Sequence, residues 1–362
     1  MPVTRLEEGM IVGRTVYTSD GRPLLRRGMV LEKRHIERLL KIGIPVIYIE
    51  EKAVEDIKAE DLIMDKVRTM AVQEARRIVL KVRKEGKFYN KRVSEIDISE
   101  DIERVKSVVN SLLGEVFRTK QAVYSFIDIR SLDDFLYGHM VNTAVLGMMT
   151  GLTLGYKTDK LFCLGLGIFL HDIGKALLDD TLLSAQKLLE EERNPLIRRH
   201  PVTGYELLKN VQGVSLLTAH VVYQHHERID GKGYPRGLTG SQIHEFAKIA
   251  AVANVYDILV SGAPFQPRVK PNEAVEALMG MSGTFFDKDV VEAFLKNVAV
   301  YPVGTTVRLS TGEIAVVSQV KRGLPTRPVV KIVRSSKGEE LDLPVELDLS
   351  LEPGITVEEV IE

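Results

Sequence analysis

Between positions 139 and 226 the chain carries His139, the adjacent pair His171-Asp172, His200, and the adjacent pair His225-His226. These are five of the eight histidines in the chain, and a sixth, His220, also falls in this region. Residues so far apart form one cluster only if the elements carrying them fold against each other, so the group constrains the fold as well as the chemistry. His171-Asp172 closes an apolar run, Leu161 to Leu170, and is followed by Ile173-Gly174-Lys175. Two metal-ligand residue types side by side, with a lysine close behind, point to metal-assisted hydrolysis.

A dinuclear site needs ligands for each ion and one group able to bridge them. A carboxylate can bridge, since each oxygen binds a different metal, whereas a neutral imidazole cannot. Asp172 is therefore the natural bridge, with His171 on one ion. His139 lies on an earlier helix whose Val141, Val145 and Met148 would bury its neighbouring face. His200 precedes Pro201, which biases its backbone out of the α region. Pro201 suits the first position of a new helix, so His200 is expected to project freely into a cleft at a helix entrance. His225 and His226 would point about 100° apart on a helix, serving one cluster from its rim. Mixed imidazole and carboxylate ligation suits iron, manganese or zinc, and no thiolate biases the set. His220 and His244 join no motif and are read as structural or solvated.

The rest of the chain sorts by periodicity. Residues 1–51 read as a small mixed α/β domain: Met10-Ile11-Val12 and Val46 to Ile49 are strand-like, Ser19-Asp20-Gly21 is a turn, and Glu32 to Ile42 is a helix. Residues 52–119 read as a helical linker and dimerisation region, with an amphipathic stripe of Ile63, Val67, Met70, Ile78 and Val82 that needs a partner face. Residues 120–300 are mostly helical, broken by the glycine-rich loop Gly231 to Gly240. Residues 301–362 read as a small β domain, with Thr311-Gly312-Glu313 a tight turn between its first two strands. The fold class is mainly α, flanked by these two small domains.

The 362 residues allow two or three domains. A net charge of -1 gives no argument for nucleic acid or an anionic membrane as partner. The single cysteine, Cys163, cannot form an intrachain disulfide. The N-terminal segment lacks the basic start and apolar core of a signal peptide. No apolar stretch reaches the about 20 residues of a membrane span. The expected location is the cytoplasm.

His139, His171-Asp172-Ile173-Gly174-Lys175, His200-Pro201, His225-His226-Glu227, Gly231-Lys232-Gly233-Tyr234-Pro235, Leu238-Thr239-Gly240 and Lys248-Ile249 together resemble the HD-GYP family, a branch of the HD-domain metallophosphohydrolases. The resemblance covers roughly residues 120 to 300, and the tail from Tyr301 looks like the family's usual extension. It implies an HD-domain helical bundle with a Gly-Tyr-Pro loop. The implied activity is hydrolysis of cyclic di-GMP, a bacterial second messenger, to linear pGpG or GMP through a metal-activated water. The implied metal positions are His139, His171, Asp172, His200, His225, His226 and the position of Asn254. They would hold two divalent ions, iron first, then manganese, with zinc third. Asp172 and Lys175 would be catalytic, with Lys175 beside the phosphate. Gly233, Tyr234 and Pro235 would line the substrate cleft, Tyr234 stacking on guanine or donating to a phosphate. The same loop would present a surface to a protein partner.

Three departures stand out. Asn254 occupies a position where the family normally has a ligating aspartate, so it offers a carbonyl oxygen but no charge. Asp257, one helical neighbour away, could replace it only by a shift of the helix. Ala263 and Gln266 stand where many relatives carry phosphate-binding arginines, leaving Arg268 and Lys270 as the nearby cations. Phe135 replaces a glutamate that supports a third metal in some relatives, which favours two ions. Besides the phosphodiesterase, two readings follow from these departures: a catalytically weak or inactive signalling module that binds nucleotide or a protein partner, and a phosphohydrolase acting on another nucleotide.

Overall fold

A computed structural model describes residues 1, 3–13, 15–17, 23–44, 47–50, 63–88, 91–119, 123–124, 135–178, 194–261 and 269–361. The chain divides into two units, one drawn from Met1–Leu62, Gln121–Leu132 and Leu295–Glu362, the other from Ile63–Lys120 and Asp133–Phe294.

In the first unit, the N-terminal elements are β1 (Ile11–Val12), β2 (Val16–Tyr17), β3 (Pro23–Leu25), α1 (Lys33–Ile42) and β4 (Ile49–Glu50). β1 pairs antiparallel with β4, and β2 with β3. Val12, Val16, Leu25, Leu31, Leu39, Ile44 and Ile47 form their core. The turn expected at Ser19-Asp20-Gly21 lies outside the described residues. The C-terminal elements are β5 (Thr306–Leu309), β6 (Ile314–Gln319), β7 (Val329–Arg334), β8 (Glu340–Asp348) and β9 (Val357–Ile361), an antiparallel sheet in the order β8-β7-β6-β5-β9. Alternation places Val307 and Leu309 of β5 in a separate core with Ala315, Val317 and Val330. The expected tight turn joins β5 to β6, with Gly312 N–H donating to the Leu309 carbonyl at 2.8 Å.

The second unit is helical: α2 (Asp65–Arg83), α3 (Ser99–Arg118), α4 (Phe135–Thr153), α5 (Thr158–Phe169), α6 (His200–Leu208), α7 (Leu216–Gln224), α8 (Glu245–Ser261), α9 (Pro271–Met281) and α10 (Lys288–Leu295). α4 has no charged residue, so no side chain holds it at the surface, and it is buried from Gly138 to Gly151. α2, α3, α5 and α8 pack around it. The stripe on α2 meets its own chain through buried Ile63, Ile78 and Val82, while Met70 stays exposed. On α3, Val105, Val108, Val109, Leu112 and Leu113 are all buried. Among the described residues no helix is long and apolar enough to cross a membrane.

Candidate metal centre

One helix and three junctions between elements deliver the functional side chains to one buried point. His139 projects from the first turns of α4. α5 ends at Phe169, and the next residues, Leu170, His171 and Asp172, lead into a 3₁₀ turn, Ile173–Leu177, that carries Lys175. A second 3₁₀ turn, Ile197–Arg199, runs into His200 at the start of α6. α7 ends at Gln224 and hands over to His225 and His226. The turn after Asp172 lies directly against α6. A Cβ on Gly174 would overlap the carbonyl oxygen of His200 and stand 2.8 Å from Gly204 N. Glycine at 174 thus sets how closely Asp172 and His200 approach.

Asp172 divides the centre. Its Oδ2 lies 3.4 Å from His171 Nε2 and 3.8 Å from His139 Nε2. Its Oδ1 lies 3.3 Å from His200 Nε2 and 3.7 Å from His225 Nε2. Ligand atoms of His139, His171 and Asp172 fall within 4.8 Å of one another, as do those of Asp172, His200, His225 and His226. The carboxylate expected as a bridge therefore belongs to both groups, one oxygen to each.

Four of the imidazoles are held in one tautomer. Nδ1 of His171, His200 and His225 donates to the carbonyl three residues earlier, on Ile168, Ile197 and Val222, at 2.6, 2.8 and 2.8 Å. Nδ1 of His139 donates to Asp257 Oδ2 at 2.7 Å. These oxygens can only accept, so Nδ1 carries the proton; Nε2 turns its lone pair inward on His171, His200 and His225, while on His139 it faces the Asn254 amide. The Nε2 atoms of His139 and His171 are 3.2 Å apart, and so are those of His200 and His225. Two lone pairs at that distance repel unless a cation lies between them. Nitrogens sharing one tetrahedral ion at about 2.1 Å stand about 3.3–3.4 Å apart. Asp172 Oδ1 is buried without a hydrogen bond, as an oxygen kept for a cation would be. The residues fit divalent metal ions.

Burial alone would push the Asp172 carboxyl up, but the Lys175 charge and the surrounding histidines outweigh it and hold the group well below the usual range. Lys175, itself buried, donates to Asp172 Oδ2 at 2.9 Å. Burial pushes the His225 imidazole down to about 3, and burial with the neighbouring His225 pushes His226 well down. Both shifts favour the neutral imidazole, the form able to bind a cation.

Asn254 reaches this point from α8, its Oδ1 2.8 Å from His139 Nε2. The residue expected at a ligand position thus lies at the edge of the His139 half. Asp257, one turn further on, does not take its place. It faces the outer nitrogen of His139 and accepts from Asn142 Nδ2 at 2.9 Å, while Asn142 Oδ1 accepts from Arg68 at 2.8 Å. Phe135 stacks on His139 at 5.5 Å between centroids.

The Gly-Tyr-Pro loop is an ordered structure folded over His226. Buried Glu227 accepts from the backbone N–H groups of Arg236 and Leu238 at 2.8 and 2.9 Å, pinning the far side of the loop. A Cβ on Gly233 would overlap Arg228 N, so the loop closes on the preceding backbone only with glycine there. Tyr234 N–H donates to the His226 carbonyl at 3.1 Å, and its ring stacks on His226 with centroids 4.5 Å apart. The Arg198 guanidinium lies 4.5 Å from the Tyr234 centroid. Tyr234 is buried, so in this structure its ring packs on His226 instead of standing open to a guanine. Pro235, half-buried, follows in a cis peptide.

Other expectations change as well. His200 sits in the α region, at φ -57 and ψ -34, and is fully buried. The 3₁₀ turn leading into α6 and its bond to Ile197 override the bias from Pro201, so it does not project freely into a cleft. The expected grouping of His225 and His226 in one cluster is what the structure shows, both joining the Asp172–His200 group just past the end of α7 at Gln224. Arg268, Ala263 and Gln266 lie outside the described residues. His220 packs on Tyr205 and Tyr223, and His244 accepts from Phe246 N–H, both apart from the centre. Sequence reasoning set Asp257 aside as a ligand short of a helix shift, and missed its role on His139 along with those of Glu227, Asn142 and Arg68.

Comparison with known proteins agrees with this architecture. An HD-domain profile matches residues 126–290, and a profile for a KOW domain associated with HD domains matches residues 306–362. A cyclic di-GMP phosphodiesterase of Pseudomonas aeruginosa is 30% identical over 360 residues, covering 94% of this chain and 86% of that protein. The chain belongs to the HD-GYP family. A second relative, the cyclic di-GMP phosphodiesterase response regulator of Xanthomonas campestris, is 39% identical over 146 residues, which is 40% of this chain and 38% of that protein. A 3'3'-cGAMP-specific phosphodiesterase of Vibrio cholerae is 28% identical over 184 residues, 51% of this chain and 42% of that protein. The HD domain of this HD-GYP protein accounts for the inward-facing histidines and the shared aspartate.

Proposed function

We propose that the chain is a metal-dependent phosphodiesterase that hydrolyses cyclic di-GMP to linear pGpG and/or GMP. One observation carries this reading: the two oxygens of Asp172 each face a different group of histidine nitrogens. Support for the substrate comes from the relatives that act on cyclic di-GMP. His139, His171, Asp172 and Asn254 would hold one ion, and Asp172, His200, His225 and His226 the other. Mixed imidazole and carboxylate donors suit iron, manganese or zinc, and the family resemblance puts iron first, then manganese, with zinc third. Bound there, the ions supply the Lewis acidity that activates water for attack on phosphorus. Water oxygen bonds to phosphorus, the bond to the ribose 3'-oxygen breaks, and that oxygen leaves with a proton. Asp172 fixes the spacing of the two halves. The Lys175 ammonium, beside Asp172, meets charge growing on the phosphoryl oxygens. The loop of Gly233, Tyr234 and Pro235 walls the site, and Tyr234 orients His226. Arg268 is the proposed second cation for the substrate.

The same proposal places the protein in the cytoplasm. It takes 1–51 and 301–362 as accessory domains to a catalytic region at 120–300. Exposed Met70 and Leu80 on α2, within residues 52–119, support a homodimer, which sizing chromatography tests. Exposed Lys232 and Arg236 on the Gly-Tyr-Pro loop support docking of an acidic protein partner.

A weak or inactive signalling module is the second reading, favoured by the uncharged Asn254 beside His139 Nε2. The test is incubation of protein loaded with iron or manganese, under reducing conditions, with cyclic di-GMP, 3'3'-cGAMP and linear dinucleotides. The proposal expects cyclic di-GMP to be consumed preferentially. Preference for another nucleotide overturns the substrate. Inert wild type with a strongly active Asn254→Asp variant supports the second reading.

A further inference from the structure

The two halves of the centre differ in charge. The half built from His200, His225 and His226 faces Asp172 Oδ1, an oxygen with no hydrogen bond. The half built from His139 and His171 faces Oδ2, which already accepts from the Lys175 ammonium at 2.9 Å. A carboxylate oxygen shared with a lysine gives less of its charge to a cation. The remaining donor on that side is the Asn254 amide, at 2.8 Å from His139 Nε2 and without charge. So one half offers three imidazoles and an unshared carboxylate oxygen, the other two imidazoles, a shared oxygen and an amide.

One feature offsets this deficit. Asp257 accepts from His139 Nδ1 at 2.7 Å, and both residues are buried. A carboxylate on the outer nitrogen raises the basicity of the inner one and fixes the ring. Asp257 is in turn oriented by Asn142. It therefore delivers negative charge to the His139 half through the imidazole.

Resting on the metal-centre reading above, we infer that the two ions are held unequally. The His200–His225–His226 half keeps a resident ion, the His139–His171 half an exchangeable one, and Asp257 is the positioning residue that retains the latter through His139. Loading of the His139 half then sets how much of the protein is competent when metal is scarce.

The test is a Mn²⁺ titration of the full chain, stripped with chelator, followed by EPR and metal analysis. The first equivalent is expected to give the six-line spectrum of isolated Mn²⁺. An exchange-coupled pair should appear only with the second equivalent, bound at least about tenfold more weakly. Asn254→Asp closes that gap. The isosteric Asp257→Asn weakens the second ion by about 10- to 100-fold and leaves the first unchanged. His139→Ala binds one ion, with wild-type affinity for the first. Coupled pairs forming from the first equivalent, or Asp257→Asn weakening both ions alike, overturn the inference. Equal ions with cyclic di-GMP turnover would leave the proposed function standing. Unequal ions without turnover would remove the proposed function and keep the inference.

Discussion

Lys175 Nζ lies 2.9 Å from Asp172 Oδ2, the oxygen turned toward His139 and His171. The lysine thus both neutralises the carboxylate shared by the two histidine groups and stands at the edge of the centre. Lys175→Met removes the cation and keeps an apolar stem of similar length. Turnover of cyclic di-GMP should fall by about 10²- to 10³-fold. Metal content should stay the same or rise, since Oδ2 is released. Steady-state kinetics with metal analysis of the same sample checks both, and loss of metal together with activity would show a structural role instead.

Gly174 against the His200 carbonyl is the tightest backbone approach at the centre. Gly174→Ala forces the 3₁₀ turn and α6 apart, at a cost of about 1–3 kcal/mol. Thermal unfolding should register that loss. The separation of Asp172 from His200 grows with it, so metal affinity should drop as well.

Glu227 is buried and accepts two backbone N–H groups of the loop. Glu227→Gln replaces one acceptor with an NH₂ that faces a donor, a change worth about 1–3 kcal/mol. The loop 231–240 should then become a site of limited proteolysis while the helices stay intact. An unchanged digestion pattern would show that the loop is held by other contacts.

The histidines set the acid limit. His225 is pulled down to about 3 by burial, against an ordinary value near 6.5, and His226 moves the same way. Between those values the unfolded chain binds protons that the folded chain refuses, so stability rises with pH. Chelated protein should be fully stable above about pH 6.5 and lose up to about 1.4 kcal/mol per pH unit for each such histidine as pH falls toward 3. The depressed Asp172 acts in the same direction below about pH 4. Urea melts at stepped pH measure the slope, and a flat profile from pH 7 to 4 would contradict it.

Much of the site was legible because its signals are local. The His171-Asp172 pair at the end of an apolar run, the stripe on α2, and the glycines of the 231–240 loop each act within a few residues. The carboxylate logic that made Asp172 a bridge needs no fold at all. Tertiary partners were not legible. Asp257 and His139 are 118 positions apart, and no periodicity links an aspartate on α8 to an imidazole on α4. The α conformation of His200 reverses a local rule, because burial between Ile197 and His225 outweighs the steric preference of a residue before proline. Tyr234 looked like a substrate platform because a glycine-rich loop permits one, but its ring is spent on His226.

The most direct measurement is cyclic di-GMP hydrolysis by metal-loaded wild type beside an Asp172→Asn variant whose fold is verified by circular dichroism. Linear pGpG and GMP should accumulate with wild type and vanish with chelator. Asp172→Asn should lose turnover along with the paired-ion EPR signal, because an amide cannot bridge as a carboxylate does. Wild type inert toward cyclic di-GMP with both ions bound, or Asp172→Asn as active as wild type, would contradict the account.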